Sequence, residues 1–368
     1  LIFTDLRFVL LFALCWATFF AVPRGWRTAT LAVWGMIFYV TYAGPFIGIV
    51  LLLAVAALFA PAPLAGFLIV GVLIYVKLGR VAIVPLGISY LAFELLHVVI
   101  ERRRGRMTKP AWCDLLGFVF FAPARIAGPI KRLPPFLAAV EEAELSAENV
   151  YAGLLRILLG LAKKFIFADV LALTVAEAGY VATMRHAWII VLAFSFQLFL
   201  DFSAYSDIAI GFARILGIRL PENFNWPYLA ANIREFWERW HITLSQWVRD
   251  YIFVPCGRAL FRTRLRPWPN VIAAISYLVT FAIVGAWHGL TAAFVLWGVY
   301  HGALLATYHV ARLKMPPRIT DHPWYDSRAL RTLGILTTFL LVTIGWVPFF
   351  LPLGKSLHLW SLMFGFSR

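Results

Sequence analysis

Apolar runs recur from one end of the chain to the other, separated by short polar or basic segments. Leu6 to Val22, Thr28 to Tyr42, Ile47 to Phe59 and Leu64 to Leu78 follow one another closely, and Trp188 to Ile215, Val271 to Gly285, Thr291 to Val310 and Leu333 to Leu351 continue the series. Many approach the length needed to cross a hydrocarbon core of ~30 Å. In lipid a backbone must satisfy its own N–H and C=O groups, so these runs are expected to be helices. The pattern predicts an all-α, polytopic integral membrane protein with roughly ten spans. Several runs are short for a span, and "VPLGISYLAFELLHVVI" and "FFAPARIAGPIKRLPPF" are broken by Gly or Pro. Such segments are re-entrant or buried in protein more often than lipid-exposed, which predicts a bundle enclosing a cavity.

Composition agrees: the 368 residues are 62% hydrophobic and only 14% charged, with a mean hydropathy of +0.82. The net charge of +15 could suggest nucleic acid, but the basic residues cluster in "ERRRGRMTK", "GRALFRTRLR" and "ARLKMPPR", between apolar runs. That is the positive-inside distribution, and it assigns these loops to the cytoplasm, with membrane lipid headgroups as a secondary contact. No RNA-binding or helix-turn-helix pattern accompanies it, so no nucleic-acid partner is expected. Cys15, Cys113 and Cys256 are odd in number and far apart, which supports neither a disulfide framework nor a zinc site. The first run lacks a basic leader and a small-residue cleavage site, so it is expected to be a retained helix. The chain opens on Leu rather than Met, so its native start is expected to lie upstream. Without a long linker, low-complexity tract or repeat, residues 1–368 read as one domain. The most polar interior stretch, "EEAELSAENV", predicts a surface loop with Ser146 capping a helix that carries Tyr151.

From Gln197 to Gly257 polar and ionisable groups are threaded through apolar sequence. At membrane depth such groups are costly and face a bundle interior or a wet cavity, so a site is expected here. On a helix from about Ile233 to Phe253, Arg234, Trp237, Glu238, His241, Ser245 and Arg249 would share one face. His241 would then be oriented by Glu238 or Ser245 and shielded by Trp237. The competing reading is an interfacial amphipathic helix with tryptophans at headgroup level.

His288 lies between two apolar runs flanked by basic loops, which predicts a hairpin with His288 near its tip. The first arm, Val271 to Gly285, would be about 23 Å long, so the tip would stop inside the membrane or just beneath its far surface. Gly285 and Gly289 allow close backbone approach or a helix break there. A neutral imidazole so placed can take a proton from a hydroxyl as general base, although a packing histidine in a bundle would look similar. His301 reads as structural, and His97, His186, His309 and His322 have no comparable setting. "DFSAYSD" sets Asp201 and Tyr205 four residues apart with Gln197 one turn earlier. Its carboxylates could bind a cation, tune a histidine or pair with Arg214, and Asp207 reads as structurally paired. A transporter or channel using His241, Asp201 and Asp207 is therefore a competing reading. No G-x-S-x-G elbow or H-E-x-x-H pair occurs, and "LGKS" lacks the upstream glycine of a phosphate loop because Phe349 stands there.

The motifs "PLGISYLAFE", "AGPIKR", "LAKKFIFAD", "DFSAYSDIAIGFARILG", "FWERWHITLSQWVRDY", "GAWHG" and "GWVPFF" occur in that order, and together the chain resembles the membrane-bound O-acyltransferases. It is most similar to the bacterial branch of alginate O-acetylation, peptidoglycan O-acetylation and teichoic-acid D-alanylation proteins. The resemblance implies helices around a central funnel or tunnel, His288 as the catalytic histidine and His241 as its partner. It also implies that Trp237, Ser245, Arg239, Asn225, Asp201, Tyr205, Gln197 and Trp287 line the substrate path. The expected reaction moves an acyl group, acetyl by this likeness or D-alanyl as the alternative, from a cytoplasmic thioester to a hydroxyl acceptor across the membrane. The donor would be acetyl-CoA or the phosphopantetheine of an acyl carrier protein, with no bound cofactor or metal. The expected partner is an extracytoplasmic acetyltransferase or a small membrane acceptor protein, in the inner membrane. Ala204 and "PCGR" at 255–258 depart from the usual pattern, and the chain ends soon after "LMFG" where alginate-type members often continue. A scaffold with a dead site is the remaining alternative, and it predicts that both histidines tolerate replacement.

Overall fold

Asp5 accepts a hydrogen bond from the backbone N–H of Arg7 at 2.9 Å and so caps the first long helix, α1 (Leu6–Ala21). From there the computed structural model, which describes residues 2–79, 85–316 and 327–366, is helical throughout, and the described residues include a single isolated β-bridge. The helices are α2 (Arg27–Ala43), α3 (Ile47–Phe59), α4 (Ala62–Lys77), α5 (Ile88–Arg103), α6 (Trp112–Val119), α7 (Leu133–Glu141) and α8 (Ala147–Ala162). After them come α9 (Asp169–Ala176), α10 (Met184–Ile215), α11 (Ile233–Arg239), α12 (Ile242–Val248), α13 (Val254–Leu260), α14 (Pro269–His288), α15 (Ala292–Lys314), α16 (Arg328–Gly345) and α17 (Leu353–Met363). Four stretches are long and apolar enough to cross a bilayer, Arg24–Phe59, Met184–Ile215, Pro269–His288 and Arg328–Phe350, and α1 and α4 are shorter apolar helices. The chain is an all-α, multi-pass membrane protein.

The chain divides into two compact units. The first comprises Leu1–Lys164 and Phe202–Glu222. Its core is aromatic and aliphatic, with Phe19, Tyr39, Phe118, Phe120 and Phe121 almost wholly buried. Gly35 lets α2 approach the segment after α6 so closely that a Cβ there would sit 2.0 Å from the carbonyl oxygen of Phe120. Three of the charges buried in this apolar matrix pair with one another: Glu94 meets both Arg125, at 3.2 Å, and Lys131, and all three side chains are at most 2% exposed. Asp207, expected to be structurally paired, is bridged by Arg156 Nε at 2.7 Å and Lys163 Nζ at 2.6 Å. Arg214, one partner considered for this stretch, instead meets Glu148 at 3.5 Å. Ser146 caps α8 as its spacing predicted, its Oγ accepting from the N–H of Asn149 at 3.1 Å.

The second unit comprises Phe165–Asp201 and Asn223–Arg368. Its spine is the α14/α15 hairpin, held close by glycine: a Cβ on Gly285 would lie 2.2 Å from the carbonyl oxygen of Phe294, and one on Gly298 would lie 2.1 Å from that of Phe281. The expected hairpin is present, but its first arm is longer than the sequence suggested. α14 begins at Pro269, suited to the first turn, and runs 20 residues to His288. At 1.5 Å per residue it is about 30 Å long, a full hydrocarbon thickness. α17 closes this unit against the start of α10, where Trp188 Nε1 donates to the carbonyl of Met363 at 3.0 Å.

Candidate active site

The first imidazole is positioned by a break in the chain rather than by a helix face. α11 opens with a reciprocal cap: Asn232 Oδ1 accepts from the N–H of Glu235 at 2.9 Å, and Glu235 Oε2 accepts from the N–H of Ala231 at 2.7 Å. The helix ends at Arg239. Trp240 is extended and bridges Phe224, and His241 takes a left-handed backbone (φ 43°, ψ 54°) before α12 begins. The single helix expected from Ile233 to Phe253 is therefore three pieces, the last a π-turn at Arg249–Phe253. The cause lies upstream. The N–H of Asn225 donates to the carbonyl of Arg239 at 3.0 Å and that of Ile242 donates to the carbonyl of Asn223 at 2.9 Å. Asn223 Oδ1 also accepts from the hydroxyl of Thr243 at 2.6 Å. Holding an L-residue in the left-handed region costs about 1–2 kcal/mol, and these bonds supply the offset. His241 is 2% exposed. Glu238, one of its expected orienting groups, pairs with Arg234 at 2.9 Å, and Ser245 donates to the carbonyl of Trp240 at 3.2 Å.

The second imidazole, His288, is the last residue of α14, at the hairpin tip. Its half-buried ring packs against Trp287 (4.5 Å between centroids), Phe349 (4.9 Å) and Trp297 (5.2 Å, edge-on). Ring contacts join this tip to the turn of His241: Phe349 packs on Trp346 at 5.6 Å, and Trp346 on Trp240, the residue before His241, at 5.0 Å. Trp297 continues inward to His301 at 5.1 Å and to Trp237 at 6.0 Å, and Trp237 meets Phe281 at 4.8 Å. On the far side of Trp237 opens a cavity of about 690 Å³ lined by Trp237, Ser245, Thr280 and Phe281, with Arg234 and Arg249 among the charged groups around it. Contacts between aromatic rings thus run from this cavity to His288 through Trp237 and Trp297. Among the described residues, no group of three His, Cys, Asp or Glu side chains gathers as a metal site.

The other expected site residues divide. Trp237, Ser245 and Trp287 stand at the cavity or beside His288. Gln197 and Asp201 lie on the part of α10 that neighbours the His241 turn, since Tyr228 donates to the carbonyl of Ser195 at 2.6 Å and Phe199 packs on Trp240 at 6.2 Å. Arg239 is engaged with Glu235 at 2.6 Å. Asn225 is exposed and contributes its backbone N–H to the turn. Asn223, which is fully buried, is the asparagine whose side chain braces the turn. Tyr205 belongs to the first unit, where its ring meets Phe3 at 5.0 Å. Asn223, Thr280 and Trp297 were not among the residues singled out from the sequence, where nothing local marks them. Elsewhere, Nε2 of His97 accepts from the N–H of Leu133 at 3.2 Å and His186 meets Glu177 at 3.4 Å. His309 borders the cavity. His322 lies outside the described residues.

Apolar spanning helices, a strained turn carrying one buried histidine and a hairpin tip carrying another define an integral membrane protein with two histidines in one compact unit. The chain belongs to the membrane-bound O-acyltransferase family, whose model matches residues 4–326. It is 34% identical over 292 residues to a protein named probable alginate O-acetylase from Azotobacter vinelandii, covering 77% of this chain and 54% of the relative. It is 33% identical over 286 residues to the teichoic acid D-alanyltransferase of Bacillus subtilis (74% and 69% covered), and 35% over 245 to the peptidoglycan O-acetyltransferase of Helicobacter pylori (64% and 43%). The chain spans about half the length of the alginate-type relatives it matches.

Proposed function

We propose that this protein transfers an acyl group from a thioester donor to a hydroxyl acceptor, with His288 and His241 as the reacting pair. The observation that carries this reading is the arrangement of two imidazoles joined through one cluster of aromatic rings, one on a half-buried hairpin tip and the other on a strained turn beside a large cavity. His288 takes the proton of the acceptor hydroxyl, whose oxygen attacks the thioester carbonyl. The C–S bond breaks, an ester forms, and the departing thiolate receives the proton that His288 carries. His241 donates a ring N–H to the carbonyl oxygen as negative charge builds on it. Because a thiolate leaves readily, positioning the reactants and excluding water supply most of the rate.

The donor enters through the cavity beneath Trp237. Arg234 and Arg249 there suit the phosphates of acetyl-CoA or of a carrier protein's phosphopantetheine. This mouth is taken to open on the cytoplasmic face, a reading supported by the basic loop at 258–266 and the positive-inside distribution, with the protein in the inner membrane. Relatives named as O-acetylases favour acetyl as the group, and a relative named as a D-alanyltransferase supplies the alternative. The acceptor is an extracytoplasmic acetyltransferase or a small membrane protein serving a cell-envelope polysaccharide. Ion transport is disfavoured because Asp207, one of three groups such a path would use, is bridged by two cations. The test is acylation of the cell envelope in cells carrying His288→Ala: it should be abolished with the protein present at normal level, and normal acylation would reject the proposal.

A further inference from the structure

His301 is 0% exposed, and neither ring nitrogen has a hydrogen-bond partner among the described residues. Its ring is gripped by aromatic neighbours: Trp237 at 5.3 Å and perpendicular, Trp297 at 5.1 Å, and Trp346 at 5.7 Å. Gly345 completes the enclosure, since a Cβ there would lie 2.8 Å from His301 Nε2. A phenyl ring would fill such a place without burying two unsatisfied nitrogens, so packing alone is a poor account of an imidazole here.

Two further orphan groups close to this ring cluster belong to residues that line the cavity. The indole Nε1–H of Trp237 and the hydroxyl of Thr280 are buried without a partner among the described residues, and both residues line the 690 Å³ cavity. The side chains along the line of rings from cavity to His288 thus include a donor, an imidazole and a hydroxyl, all unsatisfied among the described residues. Buried polar groups left in that condition are matched by a ligand or by water.

We infer that His301, with Thr280 and the indole N–H of Trp237, binds the polar arm of the acyl donor as it is fed toward His288. This rests on the proposed acyl transfer and adds a binding residue that the two reacting histidines do not include. A thioester arm built from amides carries carbonyl acceptors and N–H donors in alternation. A carbonyl would accept from Trp237, and an amide N–H would donate to a bare nitrogen of His301 or to the oxygen of Thr280. The aromatic rings on either side would exclude water from the same stretch.

The test uses the full chain in isolated membranes, supplied with radiolabelled acetyl-CoA at varied concentration, with transfer of label to envelope acceptors as the readout. His301→Phe keeps the rings packed and removes the nitrogens. Its apparent KM for acetyl-CoA should rise about five- to ten-fold, with kcat changed much less and thermal unfolding no earlier than in the native protein. His301→Gln, which restores a hydrogen-bonding group, should recover part of that loss. Thr280→Val, nearly isosteric, should raise KM in the same sense and serves if the phenyl ring is rejected. An unchanged KM in His301→Phe, or in Thr280→Val where the former does not fold, overturns the inference. His288→Ala in the same membranes separates the two ideas. If it transfers label normally, the proposed function fails; if it is inactive while His301→Phe matches the native KM, only the role of His301 fails.

Discussion

His241 pays for its position with backbone strain, and the residues that hold it there are open to direct test. Glycine adopts the left-handed region freely, so His241→Gly should unfold later than His241→Ala by about 1 kcal/mol in a detergent thermal melt, while both lack the imidazole and lose transfer. The opposite order would show that the turn is not strained. Asn223 braces the turn through its side-chain bond to Thr243. Asn223→Ala should therefore cost about 1–3 kcal/mol, whereas Asn225→Ala, exposed and bonded through its backbone, should shift stability by less than about 0.5 kcal/mol. At this scale the sequence was legible where chemistry was local. Ser146 announced a cap because its partner lies three residues away. Asn223 did not announce itself, because Thr243 lies 20 residues off and only the fold brings them together.

Among the elements, the α14/α15 hairpin carries the most demanding geometry. A methyl on Gly298 would meet the carbonyl of Phe281 well inside contact distance, so Gly298→Ala must push the helices apart. The expected result is a loss of about 1–3 kcal/mol, and a fall in transfer because Trp297 would move relative to His288. A native melting temperature would contradict the packing described. In the first unit Glu94→Gln would leave Arg125 and Lys131 buried with no counter-charge, and should destabilise by about 3–5 kcal/mol. The misreading of α11 and α12 is instructive at this scale. Arg234, Trp237, Glu238, His241 and Ser245 recur at helical spacing, and the periodicity is real on each side of the break. Two backbone bonds from residues 223 and 225 interrupt it, and no periodicity can reveal a bond made from outside the window. α14 was read too short at both ends: Pro269 and Asn270 look like loop although proline suits a helix start, and Ala286, Trp287 and His288 continue the helix past Gly285, where a break was allowed.

For the whole molecule, hydropathy located the apolar helices well because the bilayer leaves the backbone no alternative. Ile47–Phe59 was read at its observed bounds, and α1, α2 and α4 within a residue or two. What it left open was which groups face one another across the second unit, a matter of tertiary approach between α11, α14 and α15. The central claim is that acyl transfer proceeds through His288 from a donor on one side of the membrane to an acceptor on the other. Its most direct test is in sealed vesicles of known orientation, with the labelled thioester supplied only at the face bearing residues 258–266 and the hydroxyl acceptor enclosed on the opposite side. The account predicts label on the enclosed acceptor with the native protein and none with His288→Ala. Labelling by His288→Ala at the native rate would contradict it.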